Sequence, residues 1–143
     1  MDIIGNILYV ANTGDNTVEI YNISNPTAPV RVGEFGSTDL NIPAGLAITG
    51  TTLYVANAGD NTVEIYNISY PTTPIRIGEF NAGNLNAPAI LAITDTTLYV
   101  ANQGDNTIEI YNISNPTAPV RAGEFGAGDL NVPNGLAVFT LFG

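Results

Sequence analysis

LYVANTGDNTVEIYNISNPTAPVRVGEF, residues Leu8 to Phe35, decides the fold, because it returns almost unchanged at Leu53–Phe80 and Leu98–Phe125. The spacing is 45 residues both times. Self-similarity at a fixed period between 20 and 50 residues marks a solenoid, a propeller or an array, and outranks any single motif. Within the stretch, Leu8–Asn12 alternates bulky and smaller apolar side chains, the period-2 pattern of a strand. Thr13-Gly14-Asp15-Asn16 is a turn cluster, in which Gly and Asn tolerate positive φ and Asp bonds its own backbone. Thr17–Ile23 is β-branched and aromatic throughout and reads as a second strand.

Two prolines, Pro26 and Pro29, cannot donate to a sheet ladder, so Ser24–Pro29 is a loop. Val30–Phe35 is another strand, whose Gly33 fits a bulge or a close backbone approach. Gly36–Pro43 is a longer connection, and Gly45–Thr49 opens the next unit. Residues 1–7 align with Leu46–Thr52, so Met1–Ile4 reads as a strand equivalent to Gly45–Thr49. Each unit is four short antiparallel strands with no helical period, which is the blade of a β-propeller. The expected organisation is all-β, with blades at about 1–45, 46–90 and 91–135 and residues 136–143 as an extra inner strand.

YVANxGDNTVEIYNIS followed by a Pro-rich turn and VGEF resembles the YVTN and LVIVD propeller repeats. The first half is closer to YVTN and the NISNPTAP turn closer to LVIVD. The resemblance covers the whole chain and implies a surface or secreted binding or scaffold protein. In a blade of this kind Gly45–Thr49 lines the axis, and Val30–Phe35 is the outer edge. Small residues at Gly45, Ala47, Ala92, Gly135 and Ala137 suit the crowded axis. Ile90 replaces Gly45 in the second repeat, so the glycine reads as space-filling.

Charge is sparse and one-sided. The formal net charge is −10, with three Arg and no Lys. That opposes nucleic-acid binding, which needs cations to neutralise phosphate, and suits solubility, a cation or a basic partner. Cysteine and histidine are absent, which removes disulfides, thiolate metal sites, the best thiol nucleophile and the commonest general base. Residues 1–10 lack a basic n-region, and no apolar run reaches the ~18 residues of a spanning helix. The expectation is a chain with no signal peptide, no membrane insertion and no compartment legible from its residues.

The candidate ligands are oxygen donors in loops. Asp15, Asp60 and Asp105 recur in one turn. Asp39 and Asp129, with Asn84 between them, recur in the blade-to-blade connection beside Asn41, Asn86 and Asn131. Both loop classes leave a propeller on the same face, where they could hold Ca²⁺ or a basic ligand. No stretch has the dense alternating acids of a calcium loop, and Asp and Asn are also what turns prefer. The expectation is therefore no resident cofactor, with Ca²⁺ the one candidate.

Glu19, Glu64 and Glu109 face Arg31, Arg76 and Arg121 on the adjacent strand and read as structural ion pairs. As exposed pairs they would contribute only ~0–1 kcal/mol and mainly set register. Asn22-Ile23-Ser24 and its copies match a glycosylation sequon but read as turn chemistry. Tyr9, Tyr21 and their equivalents are expected between blades rather than on a sugar-stacking surface, and Tyr70 is expected to be exposed.

Near-identical repeats copy any site around the ring, whereas catalysis needs different groups converging on one substrate. A non-catalytic, self-assembling binding or scaffold module is the first reading. A metal-dependent lactonase-like hydrolase and a structural filament are the alternatives. Propellers typically close with 4–8 blades, so three are expected to complete a ring by oligomerisation. A homodimer with six blades leads, ahead of a nine-bladed trimer or an open stack. Leu136, Val138, Phe139, Leu141 and Phe142 are expected to supply the inner strand of the partner's first blade, displacing Met1–Ile4 or packing beside it.

Overall fold

A computed structural model describes residues 1–81 and 83–139. They form β1 (Asp2–Ile4), β2 (Ile7–Asn12), β3 (Thr17–Asn22) and β4 (Val30–Phe35) in a first sheet. β5 (Pro43–Thr49), β6 (Thr52–Asn57), β7 (Thr62–Asn67) and β8 (Ile75–Phe80) make the second. β9 (Pro88–Thr94), β10 (Thr97–Asn102), β11 (Thr107–Asn112) and β12 (Val120–Phe125) make the third. Every sheet is an antiparallel meander in chain order, and no helix occurs among the described residues. These are three propeller blades.

Period-2 alternation gives each blade two apolar faces. On the rear face of blade 1, Tyr9 lies opposite Ile20 and Ala11 opposite Val18. On the front face of blade 2, Leu53 lies opposite Tyr66 and Val55 opposite Glu64. The two faces meet in one apolar cluster containing Tyr9, Val18, Ile20, Leu46, Leu53, Val55, Tyr66 and Ile68. Its counterpart between blades 2 and 3 includes Tyr54, Val63, Ile65, Leu98, Val100 and Tyr111. Phe35 joins the first interface edge-on, 6.2 Å from Tyr9 and 4.7 Å from Tyr66 between ring centres. Phe80 repeats the arrangement with Tyr54 and Tyr111.

Each outer strand carries a bulge. Ile20 pairs with Gly33 but Tyr21 pairs with Arg31, leaving Val32 as the extra residue; Ile77 and Ala122 are its equivalents. In a regular strand residues three apart point to opposite faces. The extra residue puts Arg31 and Glu34 on one face. With Arg and Glu on every outer strand, the bulge also blunts the edge against pairing with another chain.

Gly45 corrects the space-filling reading. A Cβ there would sit 2.4 Å from the Ala89 carbonyl oxygen and 3.0 Å from Ile90 Cα. At Gly45 the backbone of the next inner strand approaches too closely for a side chain. The turn glycines also differ from expectation. Asn16, Asn61 and Asn106 take positive φ (60°), while Gly14, Gly59 and Gly104 do not. β1 holds the inner place in blade 1, paired Asp2 to Tyr9 and Ile4 to Ile7. Leu136–Phe139 is not in a strand. Thr140–Gly143, with Leu141 and Phe142, lie outside the described residues.

Candidate functional site

The face that gathers the acidic loops is built from hairpin turns and connections locked together. In each turn the aspartate N–H donates back to the strand-end asparagine carbonyl, Asp60 to Asn57 at 3.1 Å. The Asn57 side chain is fully buried. Its amide donates to Asp60 Oδ2 (3.3 Å), the Asp39 carbonyl (3.2 Å) and Glu64 Oε1 (3.4 Å). Its carbonyl accepts the Asn41 N–H at 2.6 Å. Asn41 in turn donates its amide to Asp60 Oδ1 at 3.0 Å. Blade 3 repeats this with Asn102, Asp105 and Asn86.

The turn of the preceding blade holds the other side of the connection. Asn16 Oδ1 accepts the Ile42 N–H at 2.8 Å, as Asn61 does for Ala87 and Asn106 for Val132. Ile42, Ala87 and Val132 sit at φ 55°, 50° and 50°. Positive φ is costly for any residue with a Cβ, most of all for the β-branched Ile42 and Val132, and these side-chain bonds over-determine it. A connection is thus clamped between two turns. Gly59 and Gly104 are glycines because the asparagine comes too near, with a Cβ at Gly59 lying 2.5 Å from Asn41 Cγ.

The structure places Asp15, Asp60 and Asp105 at exposed turns, yet Asp60 and Asp105 spend both carboxylate oxygens on asparagine amides. Asp15 Oδ2 accepts from Asn12 at 3.0 Å. Asp39 and Asp129 enter through their backbone N–H groups, each 2.9 Å from a glycine carbonyl. Asn131 is exposed. Among the described residues no three acidic side chains converge on a point where one ion could sit.

Beneath the loops lie the Glu–Arg groups. Arg31 Nε is 2.5 Å from Glu19 Oε2, Arg76 Nε 2.6 Å from Glu64 and Arg121 Nε 2.8 Å from Glu109. The expectation of exposed pairs needs correction, because the Glu64 and Glu109 side chains are only 1% exposed. Each Arg also reaches a second carboxylate, Glu34 at 2.9 Å, Glu79 at 3.2 Å and Glu124 at 3.6 Å. Glu19 lies directly opposite Glu34 in the ladder, a like-charge pairing that is unfavourable unless bridged. Burial pushes Glu64 and Glu109 above the usual carboxylate range. The Arg31 guanidinium, hydrogen-bonded to Glu19, holds it below that range and outweighs burial.

Sequence reasoning missed the buried asparagines Asn57 and Asn102 and the second carboxylates Glu34, Glu79 and Glu124. The available signals were an Asn closing every second strand and a Glu three residues after every Arg across a glycine.

Tyr9 and Tyr54 are buried between blades and donate to the carbonyls of Pro71 (2.6 Å) and Pro116 (2.5 Å). Burial raises both phenols to about 12, so they remain donors. Tyr70 is 75% exposed. A cleft of about 460 Å³ lies on the rear face of blade 3, lined by Ala92, Tyr99, Ile110, Phe125 and residues 136–139. Its size suits a small ligand, but among the described residues that line it the Tyr99 hydroxyl is the one side-chain polar group.

A family model described as lactonase, 7-bladed beta-propeller matches residues 2–82, more than half of the chain. An LVIVD repeat model matches residues 91–126. No curated protein matches the sequence. Among solved structures, a functionally unknown protein from Desulfotomaculum acetoxidans is 20% identical with a TM-score of 0.73, over 86% of this chain and 39% of its own. The periplasmic gluconolactonase PpgL of Pseudomonas aeruginosa is 12% identical at TM-score 0.76, over 93% and 39%. A putative 6-phosphogluconolactonase from Bacteroides fragilis is 17% identical at 0.75, over 90% and 37%. The chain spans about two fifths of the length of these structures, and at such identities the likeness is one of fold.

Proposed function

The chain belongs to the seven-bladed β-propeller lactonase family, and from that premise we propose that it is a non-catalytic propeller module whose acidic loop face binds a basic partner. One observation carries the reading: both carboxylate oxygens of Asp60, and of Asp105, are committed to holding the connections. Groups so occupied are poorly placed to activate water, yet their charge still projects a negative potential over the loop face. The absence of Lys and the engagement of every Arg by glutamates leave that potential uncompensated.

Binding of an Arg-rich peptide to the immobilised chain, against an acidic peptide of equal length, tests this. Micromolar binding that weakens with salt and with Asp39→Asn plus Asp129→Asn supports it. Binding no stronger than that of the acidic control rejects it.

A second reading is favoured by the family match itself and by the gluconolactonases among the structural relatives. In it the chain hydrolyses a lactone with a divalent ion held by loop carboxylates. A screen of γ- and δ-lactones with added Ca²⁺, Mg²⁺ or Zn²⁺ distinguishes the two. Metal-dependent turnover, lost in a folded chain carrying Asp15→Asn, Asp60→Asn and Asp105→Asn, would replace the first reading.

A further inference from the structure

We propose that the rear face of blade 3 docks the front face of blade 1 of a second copy of this chain, repeating the geometry of the two internal blade interfaces. The front faces are the same residue for residue. Leu8, Val10, Tyr21 and Ile23 correspond to Leu53, Val55, Tyr66 and Ile68, and these to Leu98, Val100, Tyr111 and Ile113. In blades 2 and 3 all these positions are 2% exposed or less, whereas all four in blade 1 are half-buried. Glu19 shows the same difference, its side chain 11% exposed against 1% for Glu64 and Glu109.

The rear faces match as well. Tyr9 and Tyr54 are fully buried, while their equivalent Tyr99 borders the open cleft with Ile110 and Phe125. Two hydrogen bonds then fix the partner's register. Tyr9 donates to Pro71 and Tyr54 to Pro116, so Tyr99 meets Pro26 of the second copy. Phe35 and Phe80 each stack edge-on against the Tyr66-type residue of the next blade, so Phe125 meets Tyr21 of the second copy. The connection leaving blade 3 is set as the internal ones are, with Asn106 on the Val132 N–H and φ of 50°. Residues 133–139 are the sequence equivalents of Pro43–Thr49 and Pro88–Thr94, and residues 136–139 border the open cleft. Such head-to-tail association closes a ring when the rotation allows and otherwise extends into a stack.

Native mass spectrometry and sedimentation of the full chain at micromolar concentration read the prediction. Two or more copies per particle support it, and Ile110→Arg should then return a single copy with its β-sheet dichroism intact. Should Ile110→Arg fail to fold, Tyr99→Phe keeps the ring and removes the hydroxyl, and should weaken association roughly 3- to 10-fold, one hydrogen bond's worth. The chain has no cysteine, so Tyr99→Cys and Pro26→Cys copies can be mixed and joined by a short bis-maleimide. A mixed cross-link, absent when Ile77→Cys replaces the second copy, supports the docking. A single copy throughout overturns it. So does an assembly that both Ile110→Arg and Tyr99→Phe leave unchanged and that gives no mixed cross-link.

Discussion

The side-chain carbonyl of Asn57 accepts the backbone N–H of Asn41 at 2.6 Å, joining a strand end in blade 2 to the connection from blade 1. Asn57→Ala strips partners from Asn41, Asp39, Asp60 and Glu64 together. Leaving buried polar groups unsatisfied costs ~1–3 kcal/mol each, and we expect a loss of about 3 kcal/mol in urea unfolding. Asn12→Ala, with Asp15 and Glu19 as its side-chain partners among the described residues, should cost about 1 kcal/mol.

Gly14, Gly59 and Gly104 hold equivalent places and none has positive φ, so their response to alanine reads the packing alone. Gly14 has nothing within 4 Å of an added Cβ. Gly14→Ala should be neutral or stabilise by ~0.5 kcal/mol through the unfolded state. Gly59→Ala meets Asn41 Cγ at 2.5 Å and its carbonyl oxygen at 2.8 Å, and should destabilise by ~1–3 kcal/mol. Thermal unfolding of the three variants side by side checks the order.

Native Glu64 and Glu109 keep their protons at higher pH than in the unfolded chain, because burial disfavours their charge. Between the ordinary value of 4.5 and their raised values the native state binds more protons, so stability falls as pH rises through that window. Glu19, held below its ordinary value by Arg31, contributes stability that is present above 4.5 and lost as pH falls through its lowered value. Urea midpoints should therefore rise as pH falls through the raised values of Glu64 and Glu109 toward 4.5. Glu64→Gln should flatten that rise, and an unchanged slope would remove Glu64 from the account.

Docking of a second copy as proposed would set β1 and residues 136–139 in competition for one inner-strand place, since both align with Pro43–Thr49. β1 is only three residues long, and Met1 and Ile3 are 74% and 52% exposed. The longer apolar segment should win. Deleting residues 134–143 should then weaken association at least tenfold in sedimentation. Equal association after the deletion would leave β1 in place in the assembly.

The sequence by itself determined the repeat, the four strands of each blade and the all-β class. A 45-residue period with period-2 strands and proline-marked loops admits few other folds, because strand alternation and turn chemistry are local properties. It also put a Glu and an Arg on adjacent strands in every repeat. Only the tertiary structure decided what those residues experience. Glu64 is buried because blade 1 covers it, and nothing within the Thr62–Asn67 strand encodes that cover. Arg76 reaches Glu79 because a bulge at Ile77 turns both to one face. Gly45 and Gly59 looked like filler and turn residues, yet each is glycine because a segment about 44 or 18 residues away, respectively, comes within a Cβ's radius. Burial, desolvation and close approach are set by contacts between repeats, and such contacts exist only once the blades have stacked.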